Sequence, residues 1–224
     1  LWCAAVYDQS DIEYFQRELT RIYALLMADG ADFPHLRVAS IEFCSFGNSK
    51  PFRVKVLNEI NDNHDYFYMK RGDASRVYGL ELEEIFSPDK VSFLVSGNTL
   101  IEEHIVGVPT DAFLLKNESV KIENRLRFAK EFVKFNERCF VRLLGDMRAY
   151  NYVVEITQDF DNIQYRLRAI DFDQQSYEGR KRIYLPQFFR DNLPLVELAQ
   201  ELLSPATAQQ YQKEERSLLA KRAS

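Results

Sequence analysis

Two short stretches constrain this chain more than any other part of it. The first, Gly145–Asn151, reads G-D-M-R-A-Y-N, and the second, Ile170–Phe172, reads I-D-F. Residues 152–170 between them alternate in the manner of two strands joined by a turn. A hairpin brings its two ends together, so Asn151 and Asp171 are predicted to lie close to each other. An Asp, an Asn and a second Asp that meet in this way can converge on one metal and phosphate group.

Composition indicates a folded globular protein and argues against two classes of partner. The chain has 224 residues, of which 46% are hydrophobic and 13% aromatic, enough for one ordinary domain or two small lobes. Its formal net charge is −5 and its 29 basic residues are scattered along the chain, which does not favour nucleic acid as a partner. No apolar run approaches the roughly 18–20 residues of a membrane helix, so no membrane segment is expected.

Cysteine usage and the first residues bear on the cellular compartment. Cys3, Cys44 and Cys139 are widely spaced, odd in number and without a C-x-x-C pair, so neither a disulfide framework nor a zinc site is predicted. We expect free thiols and a cytoplasmic protein. The start, Leu1–Val6, is too short for a signal peptide, and a first residue other than Met indicates that an upstream segment has been removed. The three histidines share no metal-ligand spacing and are expected to be structural or exposed: His35, His64 and His104.

Hydrophobic periodicity predicts strands in the first half of the chain and helices in the second. The first half is predicted to hold a helix, a three-stranded meander, a second helix and two more strands, at Ser10–Gly30, residues 35–70, Asp73–Phe86, Val91–Val95 and Asn98–Val106. The second half is predicted to hold a long helix from about Ser119, the hairpin, and two final helices, Leu193–Leu203 and Pro205–Lys221, the last capped by Ser204.

The helix that ends at Phe86 carries carboxylates within its apolar stripe. At 100° per residue, Glu81 and Glu84 fall among the apolar side chains, whereas Glu83 lies off that face. A carboxylate that faces a core needs a cation, and Lys70, at the end of the preceding strand, is the nearest candidate. The pattern does not choose between Glu81 and Glu84. The alternative is a rotated helix on which both glutamates are solvated.

This order of elements, together with the G-D-x-x-x-x-N and I-D-F motifs, resembles the protein-kinase-like superfamily, including its aminoglycoside-phosphotransferase type and small bacterial kinases. The resemblance covers roughly residues 36–175. It implies an α+β, two-lobed protein-kinase-like fold. The antiparallel-sheet N-lobe, with the N-terminal helix and one inserted helix, would span residues 1–106. A reduced, mainly helical C-lobe with the catalytic-loop hairpin would span residues 107–224.

The resemblance implies a role for each polar residue of the two motifs. Asp146 would be the catalytic aspartate that orients the acceptor hydroxyl and accepts its proton. Arg148 would lie near the transferred phosphate. Asn151 and Asp171 would hold a metal ion that bridges the phosphates, which implies ATP and Mg²⁺ as cofactors.

The resemblance also implies nucleotide contacts in the first half of the chain. Lys70 would pair with the α- and β-phosphates and with Glu84. The turn at residues 45–50, which contains Gly47, would cover the phosphates. Backbone groups near Glu103 and Ile105 would contact adenine.

Three functions follow from this comparison. The leading one is an ATP- and Mg²⁺-dependent phosphotransferase that moves the γ-phosphoryl group to a hydroxyl of a small molecule or protein. The second is a pseudokinase that binds nucleotide or a protein partner, because Leu144 stands where many relatives have His, Tyr68 replaces a small residue under adenine, and the phosphate loop has only Gly47. Asp173, which replaces the Gly of D-F-G, is a further departure from the family pattern. The third, less favoured, is a kinase-like enzyme that transfers AMP.

Overall fold

The computed structural model describes residues 2–28, 33–45, 49–117, 124–159, 162–181 and 184–224. By its internal contacts the chain forms two compact units. Unit 1 comprises Leu1–Asp73 and Val91–His104, and unit 2 comprises Ala74–Lys90 and Ile105–Ser224. The inserted segment 74–90, which the sequence analysis assigned to the N-lobe, therefore groups with unit 2.

Unit 1 is an antiparallel sheet with one long helix. Its elements are β1 (Trp2–Ala4), α1 (Ile12–Ala28), β2 (Leu36–Cys44), β3 (Phe52–Asn58), β4 (His64–Arg71), β5 (Phe93–Ser96) and β6 (Thr99–Glu103), with a short 3₁₀ helix at Gln9–Asp11. The strands lie in the order β1-β2-β3-β4-β6-β5, and every neighbouring pair is antiparallel. The predicted meander and the two strands after it are confirmed, whereas the predicted end of the first helix at Gly30 lies outside the described residues.

The apolar stripe of α1 packs on one face of this sheet. Leu19 and Leu26 of α1 join a buried cluster with Val54, Val56 and Phe67 of β3 and β4. Side chains alternate between the two faces of a strand. The opposite face of β4 therefore carries the residues on either side of Phe67 and Met69. One of them is Lys70, the residue of this strand that is predicted to contact nucleotide.

Unit 2 is mainly helical and contains a small sheet. Its elements are α2 (Ala74–Phe86), β7 (Val108–Pro109), α3 (Thr110–Asn117), α4 (Arg125–Arg142), β8 (Tyr152–Asp159), β9 (Asn162–Ala169), α5 (Leu193–Leu202) and α6 (Pro205–Ala223), with 3₁₀ helices at Pro186–Phe188 and Arg190–Asn192. The sheet order is β7-β8-β9. Ser204 caps α6 as predicted, because its Oγ accepts a hydrogen bond from the Thr207 amide at 3.2 Å. The predicted start of the long helix at Ser119 lies outside the described residues.

These two units confirm the predicted α+β class, in which an antiparallel sheet is followed by a mainly helical part. Two ion pairs fix the final helix on α4: Arg138 contacts Glu215 at 3.3 Å, and Arg216 bonds to Glu137. Within α4, Arg138 also contacts Glu131 at 2.6 Å. Within the part of the chain that the structure describes, no helix combines the length and the apolar character that a membrane span requires.

Helix α2 is rotated relative to the sequence prediction. Its buried face consists of Arg76, Gly79, Leu80 and Glu83, and Glu83 forms an ion pair with the equally buried Arg142 at the end of α4. By contrast Glu81 is exposed and Glu84 pairs with Lys90 at the surface. The expectation that Glu81 or Glu84 faces the core was wrong, and the alternative of a rotated helix with both glutamates towards solvent is the one observed. Apart from Leu80, the buried face consists of a paired glutamate, a paired arginine and a glycine, which hydrophobic periodicity cannot detect.

Candidate active site

The loop after α4 presents Asp146 from a constrained backbone. Leu143 ends α4 with φ of 56°, and Asp146 has φ of 55°, a left-handed conformation that residues other than Gly adopt infrequently. The Asp146 carbonyl accepts hydrogen bonds from the Arg148 amide at 2.8 Å and from Nδ2 of Asn151 at 2.7 Å. The first and last polar residues of the motif are therefore tied to each other, which constrains the backbone from which the Asp146 side chain extends.

A second segment braces the same loop from the side. The Gly145 amide donates to Gln174 O at 3.2 Å, and the Ser176 amide donates to Leu143 O at 3.1 Å. Gln175, which is buried, donates from Nε2 to Arg142 O at 2.7 Å. Leu144 is also fully buried, so the position where the resemblance implies a His belongs to the core here. The Gln175 side chain therefore supports the loop, although the His that the resemblance implies at position 144 is absent.

The hairpin brings Asn151 and Asp171 together as predicted. Strands β8 and β9 pair from Tyr152 with Ala169 onwards, and the Ile170 amide donates to Asn151 O at 3.0 Å. Because Nδ2 of Asn151 is committed to Asp146 O, the amide oxygen Oδ1 is the atom left for a cation. Asn151 is nine-tenths buried, which limits its rotation.

Three carboxylates share this region of unit 2. The Asp173 amide donates to Oδ1 of Asp171 at 3.3 Å. Burial, and then the neighbouring charge of Asp171, raises the pKa of Asp173, and Asp146 acts in the same direction. Arg76 opposes this rise: its Nη2 lies 3.4 Å from Oδ2 of Asp173 and its Nε lies 3.9 Å from Oδ1 of Asp171. The region therefore combines acidic oxygens with a buried guanidinium.

The donor set fits Mg²⁺ held partly by phosphate or water oxygens. Asn151 and Asp171 offer the hard oxygen atoms that Mg²⁺ prefers, and Mg²⁺ usually takes only one or two carboxylates while keeping water and substrate phosphates. Among the residues that the structure describes, no cluster of three or more His, Cys, Asp or Glu side chains could hold a metal ion by itself. A cation at this position would consequently need ligands from a bound nucleotide or from water.

Arg148 is held beside the Asp146 carboxylate. Its Nε lies 3.3 Å from Oδ1 of Asp146 and its Nη1 lies 3.7 Å from Oδ2 of Asp191. The guanidinium carbon also lies 4.8 Å from the ring centroid of Phe189, within the range of a cation–π contact. The Arg148 side chain is 42% exposed, so it can reach an anionic group that approaches Asp146.

In unit 1, Lys70 has a different partner from the one predicted. Its ammonium lies 2.6 Å from Oε2 of Glu102, and both side chains are nearly buried. The two residues lie on neighbouring strands, where Lys70 pairs with Leu100 and Tyr68 pairs with Glu102, so they are diagonal neighbours on one face. The predicted Lys70–Glu84 ion pair is wrong, because the strand register supplies Glu102 as the carboxylate.

The other candidates for nucleotide contact have mixed outcomes. Gly47 lies outside the described residues. The Glu103 amide already donates to Ser92 O at 3.0 Å, so only its carbonyl is left for a base. Tyr68 bonds through Oη to Nδ1 of His104 at 3.0 Å, which places a hydrogen-bonded aromatic pair on the sheet. Burial also raises the pKa of Tyr68 and lowers that of His104.

Several residues that shape the site were not predicted from the sequence. Arg76, Gln175 and Glu102 are polar and buried, and each contacts a candidate site residue or its loop. One signal was available in advance: Asp173 was recognised as an extra acid after I-D-F, and an extra buried acid calls for a nearby cation. Nothing in the local pattern singled out Arg76 as that cation.

Comparisons with known proteins give a distant similarity. No protein-family model matches the chain, and no curated protein matches it. A solved structure similar to it is that of the Rio2 kinase–ADP/Mg²⁺–phosphoaspartate complex from Chaetomium thermophilum. The alignment has 9% identity and a TM-score of 0.46, and it covers 95% of this chain and 71% of that one. A similarity of this size does not identify a function.

Proposed function

We propose that the protein is a kinase-like phosphotransferase that uses ATP and Mg²⁺ to move the γ-phosphoryl group to a hydroxyl acceptor. One observation carries this proposal: Asp146, on a constrained backbone, is hydrogen-bonded to Asn151, which the hairpin joins to Asp171. Phosphoryl transfer requires mainly positioning and charge neutralisation from the protein. The residue types in this loop and hairpin can provide both.

Each site residue has a chemical role in this proposal. Asp146 would accept a hydrogen bond from the acceptor hydroxyl and take its proton as the oxygen bonds to the γ-phosphorus, while the bond from that phosphorus to the β,γ-bridging oxygen breaks and ADP leaves. Arg148, held at Asp146 by Asp191, would stabilise charge on the transferred group. Asn151 Oδ1 and a carboxylate oxygen of Asp171 would hold Mg²⁺, which when bound neutralises phosphate charge.

Unit 1 carries its own candidate contacts to nucleotide, which the resemblance implies. Lys70 would bind the α- and β-phosphates, and Glu102 would hold its ammonium in place, as the 2.6 Å contact between them supports. Gly47 would approach the phosphates from the preceding turn. The Glu103 carbonyl and backbone groups of Ile105 would bind adenine.

The test measures binding and turnover in one set of variants. ATP with Mg²⁺ should raise the melting temperature of the wild type more than ATP alone, and Asp171→Asn should abolish the part that depends on Mg²⁺. Asp146→Ala should reduce ATP turnover by at least about 100-fold, in keeping with the loss of a general base, while nucleotide binding is retained. Asp111→Asn is a matched control, because Asp111 is an exposed acid at the first turn of α3. Equal turnover in the wild type and Asp171→Asn contradicts the proposal.

A second candidate, a pseudokinase that binds nucleotide without transferring phosphate, is favoured by one observation in unit 1. Tyr68 and His104 form a hydrogen-bonded pair on the sheet, at the position where the resemblance implies a small residue under adenine. This candidate predicts stabilisation by ATP with no turnover in the wild type. Robust turnover that requires Mg²⁺ and disappears in Asp171→Asn excludes it.

A further inference from the structure

Helix α2 contacts residues 171–175, here called the candidate metal-binding segment, at three nearby positions. Ser75 Oγ donates to Gln175 O at 2.6 Å. A Cβ on Gly79 would lie 3.0 Å from Cβ of Phe172 and 3.2 Å from Cβ of Gln175, so the glycine permits a close approach. Between these two contacts along the helix lies Arg76. The helix is thus placed to act on the segment that carries Asp171.

Arg76 reaches two carboxylates of that segment at once. Its side chain is 8% exposed, whereas those of Asp171 and Asp173 are 32% and 22% exposed. The contact with Asp173 is the shorter one, at 3.4 Å against 3.9 Å. Since Oδ1 of Asp171 also accepts from the Asp173 amide, Arg76 and that amide share one side of the Asp171 carboxylate. Its other oxygen, Oδ2, is the one left for a cation.

We propose that Arg76 is a positioning residue for the candidate metal site. Arg76 holds Asp173 and thereby fixes the orientation of the Asp171 carboxylate. This inference rests on the proposed function for the identity of the ligand, a divalent cation with a nucleotide. It assigns α2 a role that the sequence did not indicate. In this role α2 supports Asp171 of unit 2. It does not supply the carboxylate that pairs with Lys70, because that carboxylate comes from β6.

The physical reason is repulsion between like charges. Asp171 and Asp173 are two residues apart, and the charge of Asp146 acts on Asp173 as well. Without a cation beside them, the two carboxylates would move apart, and the turn closed by the hydrogen bond from the Asp173 amide to Oδ1 of Asp171 would open. Arg76 offsets this repulsion from the buried side, which leaves the accessible side of Asp171 to a metal ion.

The experiment measures Mn²⁺ binding by electron paramagnetic resonance in the presence of ATP. Arg76→Met should weaken Mn²⁺ affinity by about 10- to 100-fold, the usual effect of removing a residue that orients a metal ligand. The double variant Arg76→Met/Asp173→Asn should recover most of this loss, because the repulsion is removed together with the guanidinium. Arg166→Met is the matched control, since Arg166 pairs with Asp89 at the surface of unit 2, and it should bind Mn²⁺ as the wild type does.

The outcomes separate this inference from the proposed function. If the wild type binds Mn²⁺ with ATP, Asp171→Asn does not, and Arg76→Met binds as tightly as the wild type, the metal site stands and the role of Arg76 is overturned. Failure of the double variant to recover affinity also overturns it, because Arg76 then does not act through Asp173. If the wild type binds no Mn²⁺ with ATP, both ideas are overturned.

Folding of each variant is checked by circular dichroism before binding is measured. If Arg76→Met does not fold, Arg76→Gln, which is neutral but keeps hydrogen-bond donors, takes its place. The same loss of affinity is expected, and wild-type affinity in Arg76→Gln overturns the inference.

Discussion

Glu83 is the carboxylate of α2 whose removal should destabilise the protein most. Its side chain is 7% exposed, and that of its partner Arg142 is 3% exposed. Burial lowers the pKa of Arg142 to about 10, which still leaves the guanidinium charged at neutral pH. Glu83→Gln would strand this charge in the core. Breaking a buried ion pair by removing one partner typically costs about 3–5 kcal/mol.

The neighbouring Glu84 provides the comparison. It pairs with Lys90, and the two side chains are 40% and 67% exposed. Exposed pairs contribute about 0–1 kcal/mol, so Glu84→Gln should be nearly silent. The two variants should differ by at least about 2 kcal/mol in the free energy of unfolding. At about 2–4 °C per kcal/mol for a protein of this size, that is at least about 4 °C in melting temperature.

Urea unfolding followed by far-UV circular dichroism measures the difference. The single tryptophan of the chain is Trp2, in unit 1, so its fluorescence reports separately on the unit that contains neither Glu83 nor Arg142. Replacing both partners with apolar residues, Glu83→Leu/Arg142→Met, should restore most of the lost stability. A larger loss in Glu84→Gln than in Glu83→Gln would refute the observed orientation of α2.

Two further predictions concern titratable groups outside the Asp146 loop and the hairpin. Burial lowers the pKa of His104 below its usual value of about 6.5, so the unfolded chain binds the proton more readily and stability should fall as the pH drops below about 6.5. Equilibrium unfolding between pH 5 and 8 should show a smaller decrease in His104→Gln, and equal slopes would contradict this. Cys3 is exposed, whereas Cys44 and Cys139 are buried and burial raises the pKa of Cys139 to about 12. Iodoacetamide at neutral pH should label one thiol quickly in the native protein and all three in urea, and rapid labelling of Cys139 in the native protein would be inconsistent with its burial.

The sequence predicted most strands and helices because apolar periodicity and turn residues are local signals. The hairpin that joins Asn151 to Asp171 is the clearest case, since both strands alternate and only a short turn separates them. The cap at Ser204 is another, because Ser followed by Pro is a common start of a helix. These features depend on residues close to one another in the chain.

The buried polar contacts could not be predicted in the same way. The partner of Lys70 depends on the register between β4 and β6, which sequence alone did not fix. The orientation of α2 depends on Glu83 and Arg76, whose burial is possible because each has a charged partner. Those partners lie far along the chain, so a local pattern does not reveal them. Gln175 braces the loop through contacts with backbone carbonyls, and a sequence pattern carries no signal for those. Such contacts decide the details of the site, whereas the pattern decided the order of the elements.

The placement of α2 affects the order in which the protein can fold during synthesis. Ser75 and Gln175 are 100 positions apart, so at about 5–20 residues per second the helix waits roughly 5–20 s for the segment it packs against. During that interval the face of α2 that bears Gly79 and Leu80 lacks the segment against which it packs in the folded protein. In a fragment that ends at residue 106 this face would stay exposed. Expressing the protein as two fragments divided at that point would therefore leave unit 2 without helix α2.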